Sequence, residues 1–221
     1  ASKAPCKGLV AEYIETQKNQ LAALGVQVEL NHAPTMAELR RLDPYGIFIA
    51  MGGQQIVPDI PGIDRENVFG IEDVLLGRRA IEGREVAVIG GGHVGLEVAH
   101  FLCANNKVTI VEMADEIGAS VYYITKFKLL PLLREAGVTF RTGQAIAAVD
   151  DGSIRLRDTH TGQCTELKAE AVVLAMGSRP DLAARAAFDR NFDHVVYAGD
   201  AVRGGTMLEA NRDAFALAWE F

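Results

Sequence analysis

Residues 85–102 read EVAVIGGGHVGLEVAHFL, and three kinds of local structure follow one another in that span. Val86-Ala87-Val88-Ile89 is a continuous apolar run, as expected of a parallel strand buried on both faces. Gly90, Gly92 and Gly95 carry the G-x-G-x-x-G spacing, with Gly91 as a further permissive position. In such a turn the first glycine allows a sharp bend and the second lets backbone approach a pyrophosphate. The third lets the helix close on the strand. Val94, Val98, Phe101 and Leu102 then recur at helical spacing, so the turn opens a helix whose N-terminal N–H groups and partial positive charge suit an anion.

Context strengthens the motif. A second apolar run, Lys107-Val108-Thr109-Ile110-Val111, ends at Glu112, roughly the 20-residue interval at which an acidic side chain meets an adenosine ribose. The stretch thus points to a dinucleotide site, the alternative being a glycine-rich turn without a ligand. His93, between the glycines, can approach a phosphate or lie in solvent. A carboxylate at Glu112 accepts hydrogen bonds from ribose hydroxyls and repels a 2′-phosphate. Met113, Ala114 and Asp115 bring no Arg or Lys to offset that repulsion, so NADH is expected over NADPH. The competing reading of Glu112 is a strand-end carboxylate in solvent.

Outward from this stretch, the 221-residue chain is 49% hydrophobic and 23% charged, enough to bury one large core or two modest ones. A net charge of −7 argues against nucleic acid or an anionic membrane surface as partner. No apolar run approaches the ~20 residues of a membrane span, and no signal peptide is evident. Cys6, Cys103 and Cys164 are scattered without a CxxC pair, which suits a reducing cytoplasm and assigns them no thiol chemistry. No Ser-His-Asp or metal-ligand spacing stands out.

Periodicity predicts a helix from about Val10 to Leu24, closed by Gly25, with Val10, Ile14, Leu21 and Leu24 on its apolar side. It predicts a strand at Val26–Leu30, a short helix at Met36–Leu42 and a buried strand at Gly46–Ala50. After a connector rich in proline and glycine, a short helix at Ile71–Leu76 leads into the glycine turn. Beyond Glu112 a helix carries Leu129, Leu130, Leu132, Leu133 and Ala136, and Pro131 must kink it or stand near its start. Strands at 138–140 and 145–149 follow, then a hairpin of 153–158 with 164–168, a buried strand at 171–175, a strand at 195–198 and a helix from about Thr206. Tyr122, Tyr123, Lys126 and Lys128 form either an oligomer surface or a solvated helix start.

A repeat emerges from this list. LAALGVQVEL parallels LLREAGVTF, IFIAMGGQ parallels VVLAMGSRP, and Gly137 lies 112 positions after Gly25. The same offset from Gly90 falls about 22 residues ahead of Ala1, where the first half would keep its own phosphate turn. The chain is therefore expected to be a piece of a longer protein.

GGGHVGLE at 90–97, the Ala-Met-Gly strand ends at Met51 and Met176-Gly177, and YAGDAV at 197–202 resemble the flavoproteins with two dinucleotide-binding domains. PGIDRENVFGIEDVL, VTIVEMADEIG and LLPLLREAGV are similar, more narrowly, to the C-terminal half of 2,4-dienoyl-CoA reductase and 2-enoate reductase, of the NADH:flavin oxidoreductase group. The resemblance implies a Rossmann-like, three-layer α/β fold with an NAD(P)H domain (69–184) inserted into an incomplete FAD domain (1–68 and 185–221). It implies hydride passing from NADH to FAD, then electrons through an iron–sulfur cluster to FMN in an N-terminal barrel, where an unsaturated substrate is reduced. Gly199 and Asp200 map onto the Gly-Asp motif near the FAD ribitol or phosphate. Met207, Glu209 and Ala210 map onto the helix near the isoalloxazine, and Glu97 onto an acidic residue near the nicotinamide. Where the family has Ala-Thr-Gly this chain has Met51 and Met176, and the first phosphate turn, cluster cysteines and barrel lie outside it, so it is expected to hold FAD poorly by itself. Two alternatives stay open: a module holding ADP as a structural ligand, as in related amine dehydrogenases, or a small NADH:acceptor reductase.

Overall fold

The computed structural model describes residues 2–220. The chain begins with helices α1 (Gly8–Ala23) and α2 (Met36–Arg41), then strands β1 (Ile47–Ile49), β2 (Gln54–Gln55) and β3 (Val68–Gly70) and helix α3 (Ile71–Leu75). The glycine-turn region follows as β4 (Glu85–Ile89), α4 (His93–Leu102), β5 (Lys107–Val111), α5 (Tyr123–Glu135) and β6 (Thr139–Arg141). Then come β7 (Gln144–Val149), β8 (Ser153–Asp158), β9 (Cys164–Lys168), β10 (Ala171–Leu174) and β11 (Ser178–Arg179). Helix α6 (Leu182–Asp189), β12 (Val195–Tyr197), a 3₁₀ turn at Gly199–Ala201 and α7 (Met207–Glu220) complete it. Two compact units result: residues 1–15 with 56–177, and residues 16–55 with 178–221.

The first unit is built on a five-stranded sheet in the order β3-β10-β4-β5-β6, with parallel pairing throughout. Its central strands β4 and β10 are apolar on both faces because both are covered. Val86, Val88, Val108, Ile110 and Val173 join a core with Leu96, Val98 and Leu102 of α4 and Leu133 of α5. Their neighbours of opposite parity, Ala87, Ile89, Val111, Val172 and Leu174, pack with Ile154 and Leu156 of β8. That second cover is an antiparallel sheet, β7-β8-β9, so the three layers are helices, parallel sheet and antiparallel sheet. Each fully buried aliphatic side chain contributes roughly 1.5–3 kcal/mol, and the two-faced pattern explains why the central strands read as unbroken apolar runs.

The second unit contains the parallel pair β1–β12, with Ile47 opposite Val195 and Ile49 opposite Tyr197, and the short antiparallel pair β2–β11. Helix α2 starts at a reciprocal cap, in which Thr35 Oγ1 accepts the Glu38 N–H and the Glu38 carboxylate accepts the Thr35 N–H. The Tyr197 hydroxyl donates to Asp189 Oδ1 at 2.6 Å, and burial, with that carboxylate, raises its pKa to about 12.

Several expectations need correction. Val26–Leu30 forms no strand, and Val26, Val28 and Leu30 are exposed. Alternation supplies a face but not a partner, and no strand lies beside this segment among the described residues; the equivalent β6 pairs with β5. Helix α1 ends at Ala23 before Gly25 at φ +69°, yet none of its residues is buried. Helix α5 starts eight residues before Pro131 and runs through it. Strands β2, β3 and β11 and helix α6 carry no periodicity long enough to be read in advance.

Candidate functional site

The turn after β4 is shaped by close packing. Gly90 has φ +110°, and a Cβ there would lie 2.4 Å from the Ala175 carbonyl oxygen. At Gly95, in the first turn of α4, a Cβ would lie 1.9 Å from the Gly90 carbonyl oxygen, so only glycine lets helix and turn meet. Gly92 differs. It is the N-cap of α4 with φ −75° and ψ −170°, a conformation open to any residue, and a Cβ there would meet no protein atom within 4 Å. Protein packing explains Gly90 and Gly95; it leaves Gly92 to be explained by what approaches from outside.

Glu112 is tied to this turn. Its Oε2 accepts the Gly91 N–H at 2.6 Å and its Oε1 accepts the Ala114 N–H at 2.9 Å. The carboxylate is therefore oriented, half-buried at the end of β5, rather than loose in solvent. Each oxygen still has lone-pair capacity for an external hydroxyl.

Gly90, Gly92, His93, Val94, Glu112, Met113, Met176 and Gly177 all line one cavity of about 520 Å³, within the ordinary range for small-molecule sites. It opens at the carboxyl ends of β4, β5 and β10, where ligands of open α/β sheets bind. Pro58, Ser120, Gln144 and Ile146 also line it and escape the sequence reading. They lie on the connector, the loop before α5 and β7, elements brought to the cavity only by tertiary packing. The lining is mostly apolar with a few polar groups, as small-molecule sites generally are.

Gly91, Gly95 and Glu97 belong to the same turn and helix but do not line the cavity. Glu97 Oε1 pairs with His93 Nε2 at 2.8 Å and with Lys7 Nζ at 2.7 Å, its side chain only 13% exposed. Lys7 is a partner that sequence reading missed, since nothing local links it to α4.

The remaining candidates, Gly199, Asp200, Glu209 and Ala210, lie in the other unit. Asp200 accepts from Ser178 Oγ at 2.6 Å through one oxygen and from the Gly205 N–H at 3.1 Å through the other. Gly199, at φ +59°, leaves room for Ala210, whose Cβ would lie 3.0 Å from a Cβ at that glycine. The Glu209 carboxylate accepts the Thr206 N–H at 2.7 Å, and its own N–H donates to Thr206 Oγ1. The Thr206 hydrogen bonds hold it below the usual carboxylate range. Glu209 and Ala210 thus already shape the start of α7. Among the described residues no three His, Cys, Asp or Glu side chains cluster to hold a metal, and no helix is long and apolar enough to cross a membrane.

Residues 14–194 match the family model of pyridine nucleotide-disulphide oxidoreductases. The NADH oxidase of Thermoanaerobacter brockii is 30% identical over 226 residues, covering 100% of this chain and 34% of that protein. The bilirubin reductase of Mediterraneibacter gnavus is 28% identical over 201 residues, covering 90% and 31%. A 2-naphthoyl-CoA reductase solved in complex with 2-naphthoyl-CoA matches with a TM-score of 0.89 at 26% identity, over the whole chain and 33% of that protein. Histamine dehydrogenase from Rhizobium sp. 4-9 shares the fold, with a TM-score of 0.83 at 16% identity over the whole chain and 37% of that protein. The chain spans about a third of the length of the curated relatives it matches. With its parallel sheet, glycine turn and oriented acidic residue, the chain belongs to the pyridine nucleotide-disulphide oxidoreductase family.

Proposed function

We propose that the chain is the pyridine-nucleotide-binding portion, and part of the FAD-binding portion, of a flavoprotein of the 2,4-dienoyl-CoA reductase and 2-enoate reductase type. The observation that carries the nucleotide site is the pairing of Gly92, which packing does not require, with a Glu112 carboxylate already oriented at the same cavity. The first-turn N–H groups of α4 would take the pyrophosphate, and Glu112 the ribose hydroxyls. Val94, Met176 and Gly177 would bound the remaining space. A 2′-phosphate would meet the Glu112 charge with no cation among Met113, Ala114 and Asp115, which favours NADH. When bound, NADH supplies a hydride for a flavin to accept.

Asp200, with Gly199 and the start of α7, is the part proposed to hold FAD, the nucleotide domain being 69–184 between flavin-domain segments 1–68 and 185–221. FMN, an iron–sulfur cluster and the reduced substrate belong, in this reading, to the remainder of a longer protein. Relatives named for the reduction of bilirubin and of 2-naphthoyl-CoA fit an unsaturated substrate.

Calorimetric titration with NADH, NADPH and ADP tests the assignment, on the chain and on Glu112→Gln. NADH should bind more tightly than either competitor, and E112Q should narrow the gap between NADH and NADPH. Preference for NADPH would overturn the reading of Glu112. ADP binding as tightly as NADH would favour a module that keeps a nucleotide only as a structural ligand.

A further inference from the structure

The loop that follows Glu112 is bound to an element distant in sequence, the turn between β8 and β9. The Gly143 N–H donates to the Ala114 carbonyl at 2.9 Å, and the Gln144 N–H to the Glu112 carbonyl at 3.0 Å. The Thr159 N–H in turn donates to the Gly143 carbonyl at 2.8 Å, and Thr159 Oγ1 lies 3.4 Å from the Met113 carbonyl oxygen. At the top of this stack His160 Nε2 sits 2.5 Å from Asp115 Oδ1. The β8–β9 turn does not need the imidazole to form. Asp158 Oδ1 alone accepts from the His160 N–H, the Thr161 N–H and Thr161 Oγ1 at 2.8–3.0 Å. The His160 side chain is largely exposed and is not part of either core. The pair adds a side-chain tie at Asp115 to the Met113–Asp115 loop, which the hydrogen bonds of the stack hold at Met113 and Ala114 and whose first residue lines the nucleotide cavity.

We infer that His160 and Asp115 form a latch that positions the adenosine-ribose end of the nucleotide site, so that its closure tightens NADH binding. This rests on the nucleotide reading of the cavity. The groups facing His160 are Asp115, from the loop after β5, and Asp158, from its own turn; the facing residue between β6 and β7 is Gly143, which has no charge. Hydrogen bonding to Asp115, with its charge, raises the His160 pKa above the ordinary histidine value. The latch is therefore tightest when His160 is protonated, fully so below the ordinary imidazole range, and loosens from an ion pair to at most a neutral-donor hydrogen bond as pH rises through the raised value.

The test is NADH affinity of the whole chain from about pH 5.5 to about pH 9, bracketing the imidazole range, for the unaltered protein, His160→Asn, Asp115→Asn and His160→Lys. Affinity of the unaltered chain should fall about twofold to fivefold with rising pH, the size set by an exposed pair. H160N and D115N should show the weaker affinity at every pH. H160K should restore the tighter affinity without the slope, because a lysine stays charged to about pH 10. The latch is overturned if H160N matches the unaltered chain in both affinity and profile, or if H160K behaves as H160N does. Should the unaltered chain bind no NADH at any pH, the nucleotide reading itself fails and takes the latch with it.

Discussion

Two glycines of one motif carry different burdens, and this can be measured. A Cβ at Gly95 would stand 1.9 Å from the Gly90 carbonyl oxygen, whereas a Cβ at Gly92 meets nothing. Gly95→Ala should cost about 3 kcal/mol of stability through overpacking of turn on helix, seen as a lower urea midpoint. Gly92→Ala should cost less than about 1 kcal/mol, the usual difference at a helix N-cap. It should nevertheless weaken NADH binding roughly tenfold, about 1.4 kcal/mol, because its methyl group would stand where a pyrophosphate must approach. Equal stability losses in the two variants would refute the distinction. The motif was legible in the sequence because its geometry is local: strand, turn and helix are contiguous. Lys7 beside Glu97 and His160 beside Asp115 were not legible, since each pair joins residues tens of positions apart.

At the scale of elements, patterning succeeded where an element finds its partners and failed where it does not. Strand β8, paired in its hairpin with β9, and the buried strands β4 and β10 have covered faces that match their alternation or their unbroken apolar runs. Val26–Leu30 has the alternation without a neighbour, and it stays irregular. Helix α5 is the converse, since it continues through a residue that ought to stop it. Pro131 cannot donate to the Phe127 carbonyl, but both residues are exposed, so water can take the place of the missing donor. Pro131→Ala should raise stability by roughly 1–3 kcal/mol, the helical penalty of proline less its restriction of the unfolded chain. Urea denaturation followed by circular dichroism would show this as a raised midpoint, and a lowered one would mean that the ring itself packs usefully.

Over the whole molecule, apolar burial is uneven. The first unit holds both hydrophobic clusters, while α1, α2, α6 and α7 contain no buried residue and Phe215 and Trp219 of α7 are 73% and 84% exposed. Local opening costs least where few apolar contacts are lost. Amide hydrogen exchange should accordingly be slowest in β4, β5 and β10 and fast along α7 and 26–30; uniform protection across both units would contradict this. By itself the sequence determined the parallel-sheet class, the glycine turn and the acidic residue at the end of β5, because strand and helix periods and turn chemistry are written in contiguous residues. Only the tertiary structure decided that an antiparallel sheet covers the second face and that Pro58, Ser120 and Gln144 complete the cavity. The same holds for the capture of the Glu112 carboxylate by the Gly91 N–H, and for the seating of the β8–β9 turn on the loop beside Glu112. These depend on which surfaces meet across the fold, and contact between segments far apart in the chain leaves no period in the sequence.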